Sequence, residues 1–181
     1  MFSLFKKTSL FNNKGMTLVE AMVTVFIFTI LMAASLQVML SGSDIWQTNK
    51  VRTELQQELR KAIDWMKEDL RQTGSSGITN VPADGSTKTT ITFYTASGVT
   101  SGSVTWSGTT TQYVLGGTSS NQLQRISGGT TKVIAQNISL LQIVRSASTP
   151  NILTITLRAQ RNTLRGVTIT LNYNFKIKLR D

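Results

Sequence analysis

The chain has 181 residues, neither cysteine nor histidine, and a formal net charge of +10. Those absences remove disulfides, thiolate metal sites, the commonest general base and the commonest zinc ligand, so hydrolytic and metal-dependent chemistry start at a disadvantage. Once an N-terminal apolar segment is set aside, the length suits one compact domain of ordinary size.

Residues 1–15 (MFSLFKKTSLFNNKG) carry Lys6, Lys7 and Lys14, no acid, and end on Gly15 directly before an apolar run. This is the composition of a targeting segment. A secretory signal would place a small-residue cleavage site after its apolar stretch; none is evident after Leu40, so the apolar segment is expected to be retained. Residues 16–40 exceed the roughly 20 helical residues needed to cross about 30 Å of hydrocarbon. The leading lysines predict a cytoplasmic N-terminus with the remainder outside, a contrast that Lys50 and Arg52 soften. From Ala21 to Leu40 there is no charge, yet Glu20 stands at the edge of the run. A carboxylate at membrane depth costs on the order of 2.5–3.5 kcal/mol and marks a partner, whereas one at the interface reaches water. Glu20 is only the sixth residue after Lys14, and on the residues alone both readings stay open.

From Asp44 to Arg71 the apolar residues Val51, Leu55, Leu59, Ala62, Ile63, Met66 and Leu70 recur at steps of three and four, an amphipathic helix with one buried stripe. Lys50 with Glu54, and Glu58 with Lys61, stand at helical neighbour spacing. No proline and only Gly42 interrupt residues 16–71, which predicts a nearly continuous helix of about 55 residues, roughly 80 Å long at 1.5 Å per residue, ending near Thr73-Gly74.

Beyond Gly74 the composition turns to Thr, Ser, Gly and β-branched residues, the chemistry of strands and turns. Ser75 to Thr90 reads as a loop. Short strands are expected at Ile91–Phe93, Tyr113–Leu115, Leu123–Ile126, Val133–Ala135 and Ile138–Ile143, and a longer one at Leu153–Ala159. Gly116-Gly117 and Gly128-Gly129 supply turns. The clearest alternation runs from Arg165 to Arg180, with Val167, Ile169, Leu171, Tyr173, Phe175, Ile177 and Leu179 on the core face. Short connections and the lack of a second helical pattern predict a largely antiparallel sheet laid on the helix, an α+β fold.

No G-x-G-x-x-G, P-loop or G-x-S-x-G pattern occurs, and the one S-x-x-K match, Ser3 to Lys6, lies in the leader. An enzyme is therefore not expected, nor a cofactor, nor a metal site; Asp84-Gly85-Ser86 offers a turn too poor in carboxylates for a calcium cage. After Thr73 there are ten Lys/Arg against Asp84 and Asp181. That excess could meet nucleic acid, anionic lipid or an acidic protein, or serve only solubility. For nucleic acid, Arg158, Arg161, Arg165, Lys176, Lys178 and Arg180 could line up, but Tyr173 and Phe175, the aromatic residues among them, fall on the expected core face. Trp46, Trp65 and Trp106 read as packing or interface aromatics.

The run KGMTLVEAMV resembles the processing and methylation site of the type IV pilin superfamily: a basic leader ending in Gly, an apolar first mature residue, Thr or Ser next, and Glu fifth. The resemblance implies a leader over 1–15, recognised through Lys14 and Gly15, and cut between Gly15 and Met16 by a membrane prepilin peptidase that also N-methylates Met16. Most relatives carry Phe where this chain has Met16. It implies a membrane-spanning, filament-core helix over 16–40, its amphipathic continuation over 41–73, and a periplasmic β-rich domain over 74–181. It also implies an assembly contact between the Glu20 carboxylate and the Met16 ammonium of an adjacent subunit. LQQELRKAIDWMKEDLRQTG and the segment YVLGGTSSNQLQRISGGTTKVIAQNISLLQI are similar to J-type minor pseudopilins of type II secretion and W-type minor pilins. The implied partners are other minor and major pilins or pseudopilins, the prepilin peptidase and an inner-membrane assembly platform, with nucleic acid a remoter partner. The alternative to the secretion assignment is a minor pilin of a type IV pilus.

Overall fold

The computed structural model describes residues 16–180. The chain divides into two compact units, Met1–Ile45 and Trp46–Asp181. One helix, α1, occupies Leu18–Arg71, as the lack of proline and the lone glycine predict. Gly42 lies within it, and a Cβ there would meet open space.

In the second unit, Leu55, Leu59, Ala62, Ile63, Met66 and Leu70 of α1 are buried, the stripe expected from their spacing. The helix closes with a tightened last turn: the N–H groups of Gln72 and Thr73 donate to the carbonyls of Asp69 and Leu70 at 3.2 Å each. The Gln72 and Thr73 carbonyls then accept the N–H groups of Ala96 and Arg180. Backbone groups that a helix end leaves orphaned are thus satisfied by the β structure.

The stretch expected as a loop holds a 3₁₀ turn at Ser75–Gly77 and a two-residue strand, β1, at Thr87–Lys88. Then follow β2 (Ile91–Thr100), β3 (Ser103–Gly116), β4 (Gln122–Ser127), β5 (Thr130–Gln136), β6 (Ile138–Ser146), β7 (Thr149–Asn162) and β8 (Thr168–Lys178). Instead of one sheet there are two, with strand orders β2-β3-β4-β5 and β1-β6-β7-β8, and every pairing within them is antiparallel. The split occurs at one residue. Asn137 takes a left-handed conformation, φ 60°, which Asn tolerates better than most side chains, and sends β6 away from β5. The N–H of Ile138 then donates to the Asn121 carbonyl at 2.9 Å, keeping the two sheets tied. The core fills from both sheets and the helix stripe, with Phe93 and Tyr113 stacked at 6.1 Å between ring centroids.

Gly128 and Gly129 form the β4–β5 turn with φ of 58° and 77°, the two left-handed positions of a two-residue hairpin loop. The β2–β3 hairpin extends well past the expected Ile91–Phe93, through a Ser/Thr/Gly run too polar to announce itself as strand. On β8 the expected core face holds only in part. Phe175 and Ile177, with Leu179 just beyond, are buried, but Tyr173 is 46% exposed and Val167 lies open. A period of two fixes which residues share a face; it does not supply a cover. As the outer strand of its sheet, β8 leaves a groove of about 360 Å³ between Leu171 and Tyr173 and the helix residues Leu59, Ile63 and Lys67.

The expected intrahelical ion pairs are replaced by contacts across the domain. Glu54 Oε2 receives Arg161 Nη1 of β7 at 2.5 Å, and Glu58 Oε2 accepts the backbone N–H of Gln136 on β5 at 2.7 Å. Lys132 on the same strand stands 4.2 Å from the Trp65 ring centroid. Deepest is Asp69, 8% exposed: its Oδ2 accepts the Tyr113 hydroxyl at 2.8 Å and Arg125 Nε at 2.6 Å. Burial, then the adjacent Asp69 charge, pushes the Tyr113 phenol far above its ordinary range. The bond to Asp69 holds the Arg125 guanidinium charged despite its partial burial. The cluster pins the last turns of α1 to β3 and β4.

Gly74 is the close-approach point of this junction. A Cβ there would lie 2.8 Å from Trp106 Cη2 and 3.1 Å from the Arg180 carbonyl oxygen. Neither the indole nor the backbone can swing aside as a flexible chain end would, so Gly74→Ala is expected to cost about 1–3 kcal/mol through overpacking. Thermal melting of the detergent-solubilised full chain checks this.

Candidate functional site

The sequence directs attention to the N-terminal end of α1. Thr17 precedes the first helical residue and caps it: its Oγ1 accepts the N–H of Glu20 at 3.2 Å, while its carbonyl accepts the N–H of Ala21 at 3.1 Å. T-x-x-E is the spacing of a capping box, in which Thr satisfies an otherwise orphaned amide of the first turn. The spacing in TLVE carries this signal as well as the processing motif. Glu20 falls in the first turn, where the helix dipole favours a negative charge by about 0.3–1 kcal/mol. Among the described residues no hydrogen bond or ion pair holds the Glu20 carboxylate.

From this end to Leu40 the large apolar side chains of the helix are bare. Leu18 is 77% exposed, Val38 and Met39 are 74% exposed, and the most apolar 18-residue window of the helix has no buried member. That area of contiguous apolar surface does not persist in water without a cover of lipid or protein. The helix is long and apolar enough to cross a membrane. Three hydroxyls of its apolar run are satisfied internally: Thr24 Oγ1 donates to the Glu20 carbonyl at 2.7 Å, Thr29 Oγ1 to Phe26 at 2.7 Å, and Ser35 Oγ to Leu31 at 2.8 Å. A polar group that bonds back into its own helix needs no water, which suits these residues to an apolar surrounding. Glu20 is the exception, since a carboxylate cannot be satisfied in that way.

Of the residues singled out from sequence, Met16 and Glu20 are placed by the structure at the capped end, while Lys14 and Gly15 lie outside the described residues. Residues 10–36 match the prokaryotic N-terminal methylation motif. The match supports a type IV pilin-like protein, with the prepilin-peptidase processing and assembly with other pilins that the motif implies. No curated protein matches the chain, and no solved structure does. A pilin-like reading accounts for the two features that a soluble domain leaves unexplained, a bare apolar helix and a carboxylate at its start. It also agrees with the fold, one long N-terminal helix packed through its second half on antiparallel sheet.

Elsewhere, among the described residues no group of three or more His, Cys, Asp or Glu side chains is placed to hold a metal ion. Asp84 Oδ1 accepts the N–H of Ser86 at 2.8 Å, and that turn, through the Ser86 side chain and then its backbone amide, holds the Asp84 carboxyl below its ordinary value. The Asp84-Gly85-Ser86 stretch is thus a closed turn whose carboxylate is occupied locally.

Proposed function

We propose that the chain is a minor pseudopilin: a structural subunit of a type II secretion pseudopilus that works in the tip or initiation complex during protein export. Before assembly it is a single-pass inner-membrane protein with a cytoplasmic leader and a periplasmic β domain. The prepilin peptidase, reading Lys14 and Gly15, cuts between Gly15 and Met16 and methylates the new amino group of Met16. The mature helix then leaves the bilayer for a bundle of like helices, guided by the assembly platform. The observation that carries this reading is the methylation motif over residues 10–36 set at the start of a helix whose large apolar side chains from Leu18 to Leu40 are bare.

Gly15→Leu is expected to abolish processing, because a bulky side chain next to the scissile bond crowds the peptidase. Full-length precursor should accumulate on a gel, while the parent chain shows by mass spectrometry a mature N-terminus at Met16 with one added methyl group. Normal cutting of the Gly15→Leu chain would sink the processing claim.

A second reading is a minor pilin of a type IV pilus, acting in assembly, adhesion, motility or DNA uptake. One observation favours a polyanion-handling form of it. The strands carry eight cations, Lys88, Arg125, Lys132, Arg145, Arg158, Arg161, Lys176 and Lys178, and not one carboxylate. Arg125 and Arg161 are engaged by acids of the helix. Lys176 and Lys178 are exposed on β8, open to an acidic partner of either kind.

A further inference from the structure

We infer that Trp46, Lys50, Arg161 and Leu164 form a lipid-contact patch that seats the second unit on the headgroup region of an anionic bilayer while the chain is membrane-anchored. The inference rests on the anchor in the proposed function and adds to it a surface that no motif specifies.

The starting observation is a loop that displays an apolar side chain and holds it there. Between β7 and β8 the Gly166 N–H donates to the Thr163 carbonyl at 3.0 Å and the Thr163 N–H to the Val167 carbonyl at 2.8 Å. The Val167 N–H donates to Thr163 Oγ1 at 3.1 Å, and Gly166 sits at φ 79°. This is a three-residue hairpin loop with glycine at the left-handed position. At its tip Leu164 is 91% exposed, while Thr163 beneath is buried. A single exposed leucine is ordinary. This one shares a shallow pocket with Trp46, itself 65% exposed, and with Val51.

The rim of that pocket carries two cations against one carboxylate. Lys50 Nζ stands 5.5 Å from the Trp46 ring centroid, and Arg161 also lines the pocket. Glu54 is the single carboxylate in the lining, and Arg161 already pairs with it. An indole and a leucine ringed by Lys and Arg fit the membrane interface, where Trp rings lie at headgroup level and basic side chains meet lipid phosphate. The chain also limits where the patch can be. Trp46 follows Leu40, the last residue of the apolar run, by six residues, so even fully extended backbone holds it within roughly 20 Å of the hydrocarbon boundary. The anchored protein cannot carry this patch far from lipid.

Because the chain has no cysteine, Leu164→Cys accepts one environment-sensitive fluorophore without other changes. Ser101→Cys, at the turn of the β2–β3 hairpin, is the reference, since neighbouring Ser103 lines a pocket with Gly74, beyond the other end of the helix. The full-length chain is reconstituted in phosphatidylcholine vesicles, with and without phosphatidylglycerol, containing lipid with a headgroup-level nitroxide. In anionic vesicles the label at 164 should shift to the blue and lose most of its emission to the nitroxide, more than in neutral vesicles, while the label at 101 keeps its aqueous emission. Trp46→Ser in the Leu164→Cys background should reduce that loss.

Equal, water-like emission at both positions in a chain that floats with the vesicles and resists carbonate extraction would overturn the patch and leave the anchor standing. A blue shift at 164 without nitroxide quenching would mean that a second copy of the chain covers the patch, which also overturns it. A chain that fails to float overturns the anchor reading, and the patch with it.

Discussion

Glu20→Gln is expected to be cut and methylated like the parent chain, yet to be missing from the assembled filament and to leave secretion at background. The choice of glutamine separates a part in starting the helix from the proposed charge pairing between subunits. Glutamine serves the third helical position of a capping box as glutamate does, and the Glu20 amide keeps its bond to Thr17 Oγ1 in either case. If Glu20 mattered only for starting the helix, Glu20→Gln would assemble normally. The magnitudes favour a charge role. Placing a carboxylate in an apolar surrounding costs on the order of 2.5–3.5 kcal/mol, and the favourable dipole at the helix start returns only about 0.3–1 kcal/mol of it. The remainder needs a counter-charge, and under the proposed function cleavage after Gly15 would create one in the ammonium of Met16 on a neighbouring subunit. Mass spectrometry of the membrane fraction and immunodetection in sheared filaments are the two readouts. Normal filament incorporation of Glu20→Gln would remove the ion pair from the mechanism; a failure to cleave it would relocate the role of Glu20 to peptidase recognition.

Asp69→Ala is the largest expected stability effect. It strands the Arg125 guanidinium, three-quarters covered, and the fully buried Tyr113 hydroxyl, both of which donate to the same carboxylate oxygen. Removing one partner of a buried ion pair costs about 3–5 kcal/mol, and the exposure left to Arg125 lowers the expectation to about 2–4 kcal/mol, a fall in Tm of roughly 10 °C for a domain of this size. The triple replacement Asp69→Ala, Arg125→Met, Tyr113→Phe should recover part of the loss, because no polar group is then left without a partner. Thermal melting of the full chain in detergent measures both. A single variant that melts with the parent would show that the cluster contributes nothing to holding the helix on the sheet.

Much of this molecule was legible because its signals are local. The helix from Leu18 to Arg71 followed from a missing proline, a lone glycine and a stripe at steps of three and four. The residues of the candidate site are local in the same way: Lys14, Gly15, Met16 and Glu20 lie within seven consecutive residues. The cap is local too, since it lies in the spacing of Thr17 to Glu20. Strand positions were found wherever apolar residues alternated, and were cut short along β2 and β3, where Ser, Thr and Gly give no apolar period to read.

Other features depend on the three-dimensional pairing of distant segments. The sequence by itself determined the helix, the β-rich composition of the remainder and the charged start of the apolar run, because hydropathy period, capping and backbone freedom act between residues a few positions apart. Only the tertiary structure decided that one left-handed asparagine divides the strands into two sheets. It alone showed that Glu54 and Glu58 reach across the domain instead of along the helix, and that Asp69 finds Arg125 and Tyr113. It likewise left Tyr173 uncovered at a sheet edge. An ion pair between residues 69 and 125 exists because closing the intervening chain brings Arg125 of β4 to Asp69 on the helix, and spacing along the sequence carries no record of that distance.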